Sequence, residues 1–415
     1  MNAFHRQNGS LMSDQKSLTS LAEEFGTPLY VYNRRAIETA WTEFATALEG
    51  HPHLICYAVK ANSNLAVLNT LARLGSGFDI VSVGELKRVL AAGGKPEKIV
   101  FSGVGKSERE MVAGLEAGIR CFNVESISEL ERLATVAAAH GATAQISLRI
   151  NPDVDAQTHP YISTGLKENK FGIGMADAMT TYRRAAALPS IDVQGIDCHI
   201  GSQLTRLEPY ADAFALLIEM VDSLASEGIT LSHIDVGGGQ GIQYSADDES
   251  MDIASWANCI RSAVGDRNLE ILVEPGRYIV GQAGVLLTRV EYLKSNEERH
   301  FAVVDAAMND LIRPALYSAW QDIEAVETLE RPQNTYDVVG PICESADFLG
   351  KQRSLAIAEK DLLCIRSSGA YASVMSSNYN TRPRAAEVMV DGENAFLVRA
   401  REETEALFAN EFILP

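Results

Sequence analysis

The feature that most constrains this chain is an alternation that begins near residue 54 and runs to residue 274. Eight short apolar runs recur there: LICYAV (54–59), FDIVS (78–82), KIVFS (98–102), CFNVE (121–125), AQISLRI (144–150), VQGIDCHI (193–200), HIDVG (233–237) and LEILVE (269–274). Amphipathic stretches separate them. In ISELERLATVAAAHG and AFALLIEMVDSLASEG the apolar residues return at i, i+3, i+4 and i+7, the spacing of a helix with one buried face. Strands that are apolar almost throughout suit a parallel sheet covered on both faces. Eight β-then-α units are the repeat count of a (β/α)8 barrel. An open doubly wound sheet competes with it but rarely needs so many units. The expectation is an α/β TIM-like barrel over residues 30–280.

After residue 280 the rhythm changes. AGVLLTRVEYL, HFAVVDA, YDVVGPIC, DLLCIRSSG and AAEVMVDGENAFLVRA are strand-like segments joined by turns. They predict a mostly antiparallel β domain over 281–415, with residues 1–29 packing against it. The 36 Lys and Arg against 55 Asp and Glu leave a formal charge of −19, which repels phosphate backbones and anionic membranes alike. No apolar run reaches the roughly 18 residues of a membrane span, and MNAFHRQNGSLMSDQKS has no apolar core of signal-peptide length. A cytoplasmic protein without nucleic-acid or membrane partners is expected. Cysteines 56, 121, 198, 259, 343 and 364 are scattered without a C-x-x-C pair, which predicts reduced thiols and no metal site.

Barrels place their chemistry at the C-terminal ends of the strands. Lys60 follows the first run, and Asp79 lies within the second. Ser102 and Gly103 follow the third, Glu125 the fourth and Asn151 the fifth. His199 ends the sixth, Gly237, Gly238 and Gly239 follow the seventh, and Glu274-Pro275-Gly276-Arg277 close the eighth. A lysine at a buried strand tip either snorkels to solvent or loses hydration and becomes a free amine for a Schiff base. Three glycines in a row serve a tight turn or a phosphate, and barrels commonly seat phosphate after their seventh and eighth strands. Glu274 and Arg277 make either a surface ion pair or a carboxylate and a cation aimed at a ligand. His199 is either a core histidine or a ring-stacking one. GVGKS (103–107) is not a phosphate-binding loop, because Val100 stands where the first glycine is needed. Together, an amine, a phosphate seat, a stacking ring and a carboxylate describe a site for pyridoxal 5'-phosphate. Its protonated ring is an electron sink for bonds broken at an amino-acid α-carbon.

YAVKAN, HIGSQ, GGG, EPGR and CESAD, in this order, resemble the barrel-fold, pyridoxal-phosphate-dependent decarboxylases. The likeness runs from about residue 10 to the C-terminus. It includes FNVES (122–126), HPYISTGLKENKFGI (159–173), DAAMNDLIRPALY (305–317) and SSGAYASVMSSNYN (367–380). The resemblance implies that Lys60 carries the cofactor, His199 stacks on its ring and Glu274 pairs with the ring nitrogen. Gly237, Gly238, Gly239, Gly276, Arg277 and Tyr371 hold its phosphate, with Ser202 nearby. Cys343 is implied as the proton donor. Cys343 and Glu344 are implied to reach the site of a partner subunit, giving a homodimer with shared active sites.

The implied substrate is meso-2,6-diaminopimelate, converted to L-lysine and carbon dioxide in the last step of lysine biosynthesis. Arg277, Arg313 and Tyr317 suit the retained carboxylate, since guanidinium groups bind carboxylates in bidentate fashion. Glu344 suits the distal amine, and Tyr371 borders the substrate as well. The alternatives are a related decarboxylase of ornithine, arginine or a carrier-bound amino acid, and a non-catalytic cofactor-binding barrel. The long C-terminal β segment argues against the latter. The ENKFGI segment is expected to close over substrate. Gln240 and Gln243 stand where relatives lead one to expect an aliphatic residue and a proline, which leaves the packing of that loop in question.

Overall fold

The computed structural model describes residues 3–154 and 170–415. Most of HPYISTGLKENKFGI therefore lies outside the described residues. The chain divides into two compact units, one of Thr39–Ile242 and Glu249–Tyr278, the other of Met1–Glu38, Gln243–Asp248 and Ile279–Pro415.

The first unit is a closed barrel. Its strands are β1 (His53–Ala58), β2 (Gly77–Ile80), β3 (Ile99–Phe101), β4 (Cys121–Val124), β5 (Ala144–Asn151), β6 (Ile191–Asp197), β7 (His233–Asp235) and β8 (Glu270–Val273). Each pairs in parallel with the next, and β8 returns to β1 through Leu272 opposite Leu54, so the ring has no free edge. That closure excludes the open sheet. A two-residue strand, Ile173–Gly174, pairs with the end of β5 outside the ring.

The helices between strands start where the sequence can cap them. Ser82, Ser107 and Ser126 each accept a backbone N–H from the first turn that follows, and Glu110 completes a capping box with Ser107. Their apolar stripes are buried. In Ile127–Ala139, for example, Leu130, Leu133, Ala134 and Ala137 face inward. The barrel interior is packed to contact. A Cβ on Gly195 of β6 would lie 2.1 Å from His233 Nε2 and 2.5 Å from Ser147 Oγ, so only glycine fits between those strands.

The second unit is a mixed, mostly antiparallel sheet. Its order is Phe348–Leu355, Asn334–Val339, His300–Val304, Gly284–Ser295, Leu29–Asn33, Ala386–Asp391 and Asn394–Arg399. Two pairings are parallel: His300–Val304 with Asn334–Val339, and Leu29–Asn33 with Ala386–Asp391. A small sheet of Phe4–Gln7, Ser10–Ser13 and Lys16–Ser17 contributes Leu11 to a core shared with Leu18, Val31, Leu287 and Val388. Among the described residues, no helix is long and apolar enough to cross a membrane.

Candidate active site

The C-terminal rim of the barrel gathers the groups that end its strands. β1 passes into a single 3-10 turn, Val59–Ala61, which lifts Lys60 off the strand end. The Lys60 Nζ donates to Asp79 Oδ2 at 2.8 Å, and Asp79, on β2, is fully buried. The lysine side chain itself is 36% exposed. Its amine is thus oriented by a buried carboxylate at the end of a partly exposed side chain.

His199 lies two residues beyond the end of β6. The Gly238 N–H donates to its Nδ1 at 3.1 Å, which uses that lone pair and places the ring proton on Nε2. Lost hydration, then the charges of Arg149 and Lys60, push the imidazole well below its ordinary pKa. The ring is therefore neutral at pH 7, as a stacking surface beside two cations should be.

The glycine turn is built by its neighbours. Gly237 and Gly239 have φ of +65° and +98°, in the left-handed region. A Cβ on Gly238 would come within 2.1 Å of the Glu274 carbonyl oxygen, so the backbone itself packs against the end of β8. The Gly237 N–H donates to Asp235 Oδ1 at 2.9 Å, and the Tyr210 hydroxyl donates to the Gly238 carbonyl at 3.0 Å. The N–H groups of Gly237 and Gly238 are thus committed within the protein. Only the N–H of Gly239 is left unclaimed among the described residues for an anion.

Glu274 follows β8 and is buried, with Asn123 Nδ2 donating to its Oε1 at 3.3 Å. Desolvation, followed by the charges of Asp235, Asp79 and Asp197, pushes its carboxyl well above the usual range, with Lys60 opposing. Two residues on, a Cβ on Gly276 would lie 3.0 Å from the Ala61 Cβ. Arg277 then donates through Nη2 to Ser202 Oγ at 2.9 Å. The barrel unit thereby carries Lys60, His199, Ser202, the three glycines, Glu274, Gly276 and Arg277 at one end of its strands.

The remaining predicted residues lie in the β unit. Arg313 opens the helix Arg313–Tyr317, is buried, and stacks its guanidinium 4.6 Å from the ring centre of Tyr244. Tyr317 ends that helix, half-buried. Cys343 and Glu344 are exposed on a loop that Asp347 fastens, accepting from Met308 N–H and Ile342 N–H at 2.7 Å each. The Cys343 N–H donates to Asn380 Oδ1 at 3.2 Å. Tyr371 is half-buried with φ of +54°. Just before it, the N–H groups of Ser368 and Gly369 donate to the carbonyls of Gly284 and Gly281.

Reading strand ends missed several groups. Asn123, Arg149, Asp197 and Asp235 are polar residues inside otherwise apolar runs, and all four are buried. Their signal was that interruption, because an ionisable side chain in a buried strand needs a partner. GVGKS also acquires a role. Lys106 is buried and donates to the carbonyls of Gly103 and Asn123 and to Glu129 Oε1, all at 2.7–2.8 Å, so it braces the loop after β3. Gln240 is buried with neither amide atom hydrogen-bonded among the described residues. Gln243 is exposed and donates to the Ala246 carbonyl.

These residues fit pyridoxal phosphate. An orientable amine, an anion seat of glycine backbone and arginine, and a neutral flat histidine surround a buried carboxyl that makes no ion pair among the described residues. A protonated ring nitrogen supplies what that carboxyl needs. The chain belongs to the pyridoxal-dependent decarboxylases: residues 34–281 match the family described as pyridoxal-dependent decarboxylase, pyridoxal binding domain. Within that class it is 60% identical to the diaminopimelate decarboxylase of Pseudomonas fluorescens over 416 residues, covering all of both chains. It is 59% identical to that of Vibrio cholerae over 99% of each. The crystal structure of diaminopimelate decarboxylase from Helicobacter pylori complexed with L-lysine superposes with a TM-score of 0.92 at 43% identity. That match covers 95% of this chain and 98% of the other.

Proposed function

We propose that this protein decarboxylates meso-2,6-diaminopimelate to L-lysine and carbon dioxide, the last step of lysine biosynthesis, with pyridoxal phosphate as its cofactor. The observation that carries the reading is the full-length identity to diaminopimelate decarboxylases, joined to a barrel rim whose groups suit that cofactor. When bound, the cofactor supplies an electron sink for the pair released as a carboxylate leaves the α-carbon.

The chain's own residues do the rest. Lys60 is the amine that holds the cofactor, aimed by Asp79 Oδ2. Glu274 meets the ring nitrogen and keeps a proton there. His199, neutral and fixed by the Gly238 N–H, presents a flat face. Arg277 with Ser202, Gly239, Gly276 and Tyr371 receive the phosphate. In the β unit, Arg313 and Tyr317, with Arg277, hold the carboxylate that must remain, and Glu344 takes the distal amine. Tyr371 borders the same substrate. Cys343 returns a proton to the α-carbon. Its exposure suits a group that serves the site of a second copy, and we assign the protein a homodimer with shared sites and a cytoplasmic location. The barrel of residues 30–280 then carries the cofactor, and 281–415 the groups that select substrate.

The test is carbon dioxide release from a panel of meso-diaminopimelate, ornithine, arginine and lysine, with pyridoxal phosphate added. Release from the first alone is expected. Preferential turnover of ornithine or arginine, or none at all, would overturn the assignment.

A further inference from the structure

Beneath the glycine turn, carboxyl groups from three neighbouring strand ends meet. One oxygen each of Asp197, Asp235 and Glu274 lies within 4.8 Å of the other two, and all three residues are buried. Asp235 has two distinct faces. Its Oδ1 accepts the Gly237 N–H at 2.9 Å, while its Oδ2 has no hydrogen-bond partner among the described residues.

Charged groups on other strands act on Asp235 and Glu274. Asp79, on β2, binds Lys60 at 2.8 Å. Arg149, on β5, binds Glu125 at 3.3 Å and approaches Asp197 at 4.0 Å. The thiols of Cys56, Cys121 and Cys198, from β1, β4 and the end of β6, are buried nearby and held in the neutral form. Five carboxyls thus face two cations, and both cations already hold other acids. Like charges this close, away from water, cannot all ionise.

We propose that Asp235 and Glu274 share one proton. Asp235 is then a positioning residue through which Glu274 keeps the cofactor's ring nitrogen protonated, while its second oxygen fixes the glycine turn. The inference rests on the cofactor reading of the same site and deepens it. Burial raises both carboxyls above their ordinary values, with the charge of Asp79 adding to it at Asp235 and those of Asp235, Asp79 and Asp197 at Glu274, while a side-chain hydrogen bond with Glu274 opposes the rise at Asp235. On loading, Glu274 passes its proton to the ring nitrogen and becomes the carboxylate facing the N–H it has made. No proton is drawn from solvent for this step, and the total is conserved.

The test uses full-length protein before and after loading with pyridoxal phosphate. The infrared difference spectrum at pH 7 should show loss of one protonated carboxylic-acid band in the wild type, and no such loss in D235N or E274Q. Asp235→Asn preserves size and the acceptor for Gly237 but donates to Glu274 and cannot carry the proton. With ¹⁵N-labelled cofactor, the ring nitrogen of loaded D235N should titrate at least tenfold more easily in proton concentration than in wild type. An unchanged nitrogen titration in D235N would overturn the pair. So would a wild-type difference spectrum without acid loss, which needs no variant to fold, or a stoichiometric divalent cation in the purified protein. A wild-type protein that takes up no pyridoxal phosphate would instead overturn the reading beneath it.

Discussion

On the barrel, the proposed site residues stand at strand ends and bond to one another; in the β unit they stand on loops and a short helix. Lys60 is held by Asp79, His199 by Gly238, Gly237 by Asp235 and Arg277 by Ser202. Cys343 and Glu344 instead project from a loop that Asp347 fixes by its backbone. Parallel strands deliver side chains to one rim with little freedom, which suits groups that must fit a rigid ring. Loops held by backbone bonds leave side chains exposed, which suits groups that meet a substrate or a second subunit. The groups proposed for the cofactor are built in, and those proposed for the substrate are presented.

That contrast can be broken most severely at Lys60. Lys60→Ala should lose the near-visible absorbance of the loaded protein and nearly all turnover, because no other group in this reading can hold the cofactor. Retention of both would remove the barrel rim from the mechanism. At Cys343 the effect should be smaller and separable. Cys343→Ala should lower kcat by about 10²–10⁴-fold, the usual worth of a positioned general acid, with cofactor absorbance unchanged. A variant that lost cofactor instead would mean that the loop serves the barrel half.

The same contrast explains what could be read from the chain. Lys60, His199, the glycine trio and Glu274 announce themselves because they end apolar runs, and the eightfold count needs only local periodicity. Asp197 and Asp235 do not, because one aspartate inside VQGIDCHI or HIDVG does not end the apolar run around it. Only the closed barrel shows that these positions face one another. The β sheet was legible as strands but not as pairings. Leu29–Asn33 lies beside Ala386–Asp391 in parallel, across almost the whole chain, and no local pattern encodes such a partner. Lys106 of the GVGKS segment braces the loop after β3. Its bracing role depends on Glu129 and Asn123, which lie beyond the motif.

Further toward the bottom of the barrel, His233 gives the pH dependence a direction. It is buried beside Ser147, and burial, with Arg120 adding to it, holds its pKa down to about 3. Folded protein therefore binds fewer protons than unfolded protein between pH 3 and 6.5. Its contribution to stability is complete above pH 6.5 and is lost as pH falls through the window, by up to about 5 kcal/mol. Urea unfolding of His233→Gln at pH 7.5 and 5 should show a shallower loss than wild type. An equal slope would assign the acid sensitivity to other groups.

The smallest effect sharpens the comparison inside the barrel half itself. Gln240 adjoins the glycine turn and is 1% exposed, with neither amide atom bonded among the described residues, unlike the N–H groups of Gly237 and Gly238 beside it. An unmade buried hydrogen bond costs about 1–3 kcal/mol per group, whereas an apolar side chain of similar size incurs no such cost. Gln240→Leu should therefore raise unfolding stability by about 1–2 kcal/mol while cofactor affinity holds. Its backbone, which pairs with Leu204, is unaltered by the change. If stability falls instead, ordered water must satisfy the amide in solution, and the turn proposed to seat the phosphate is wetter than its packing suggests.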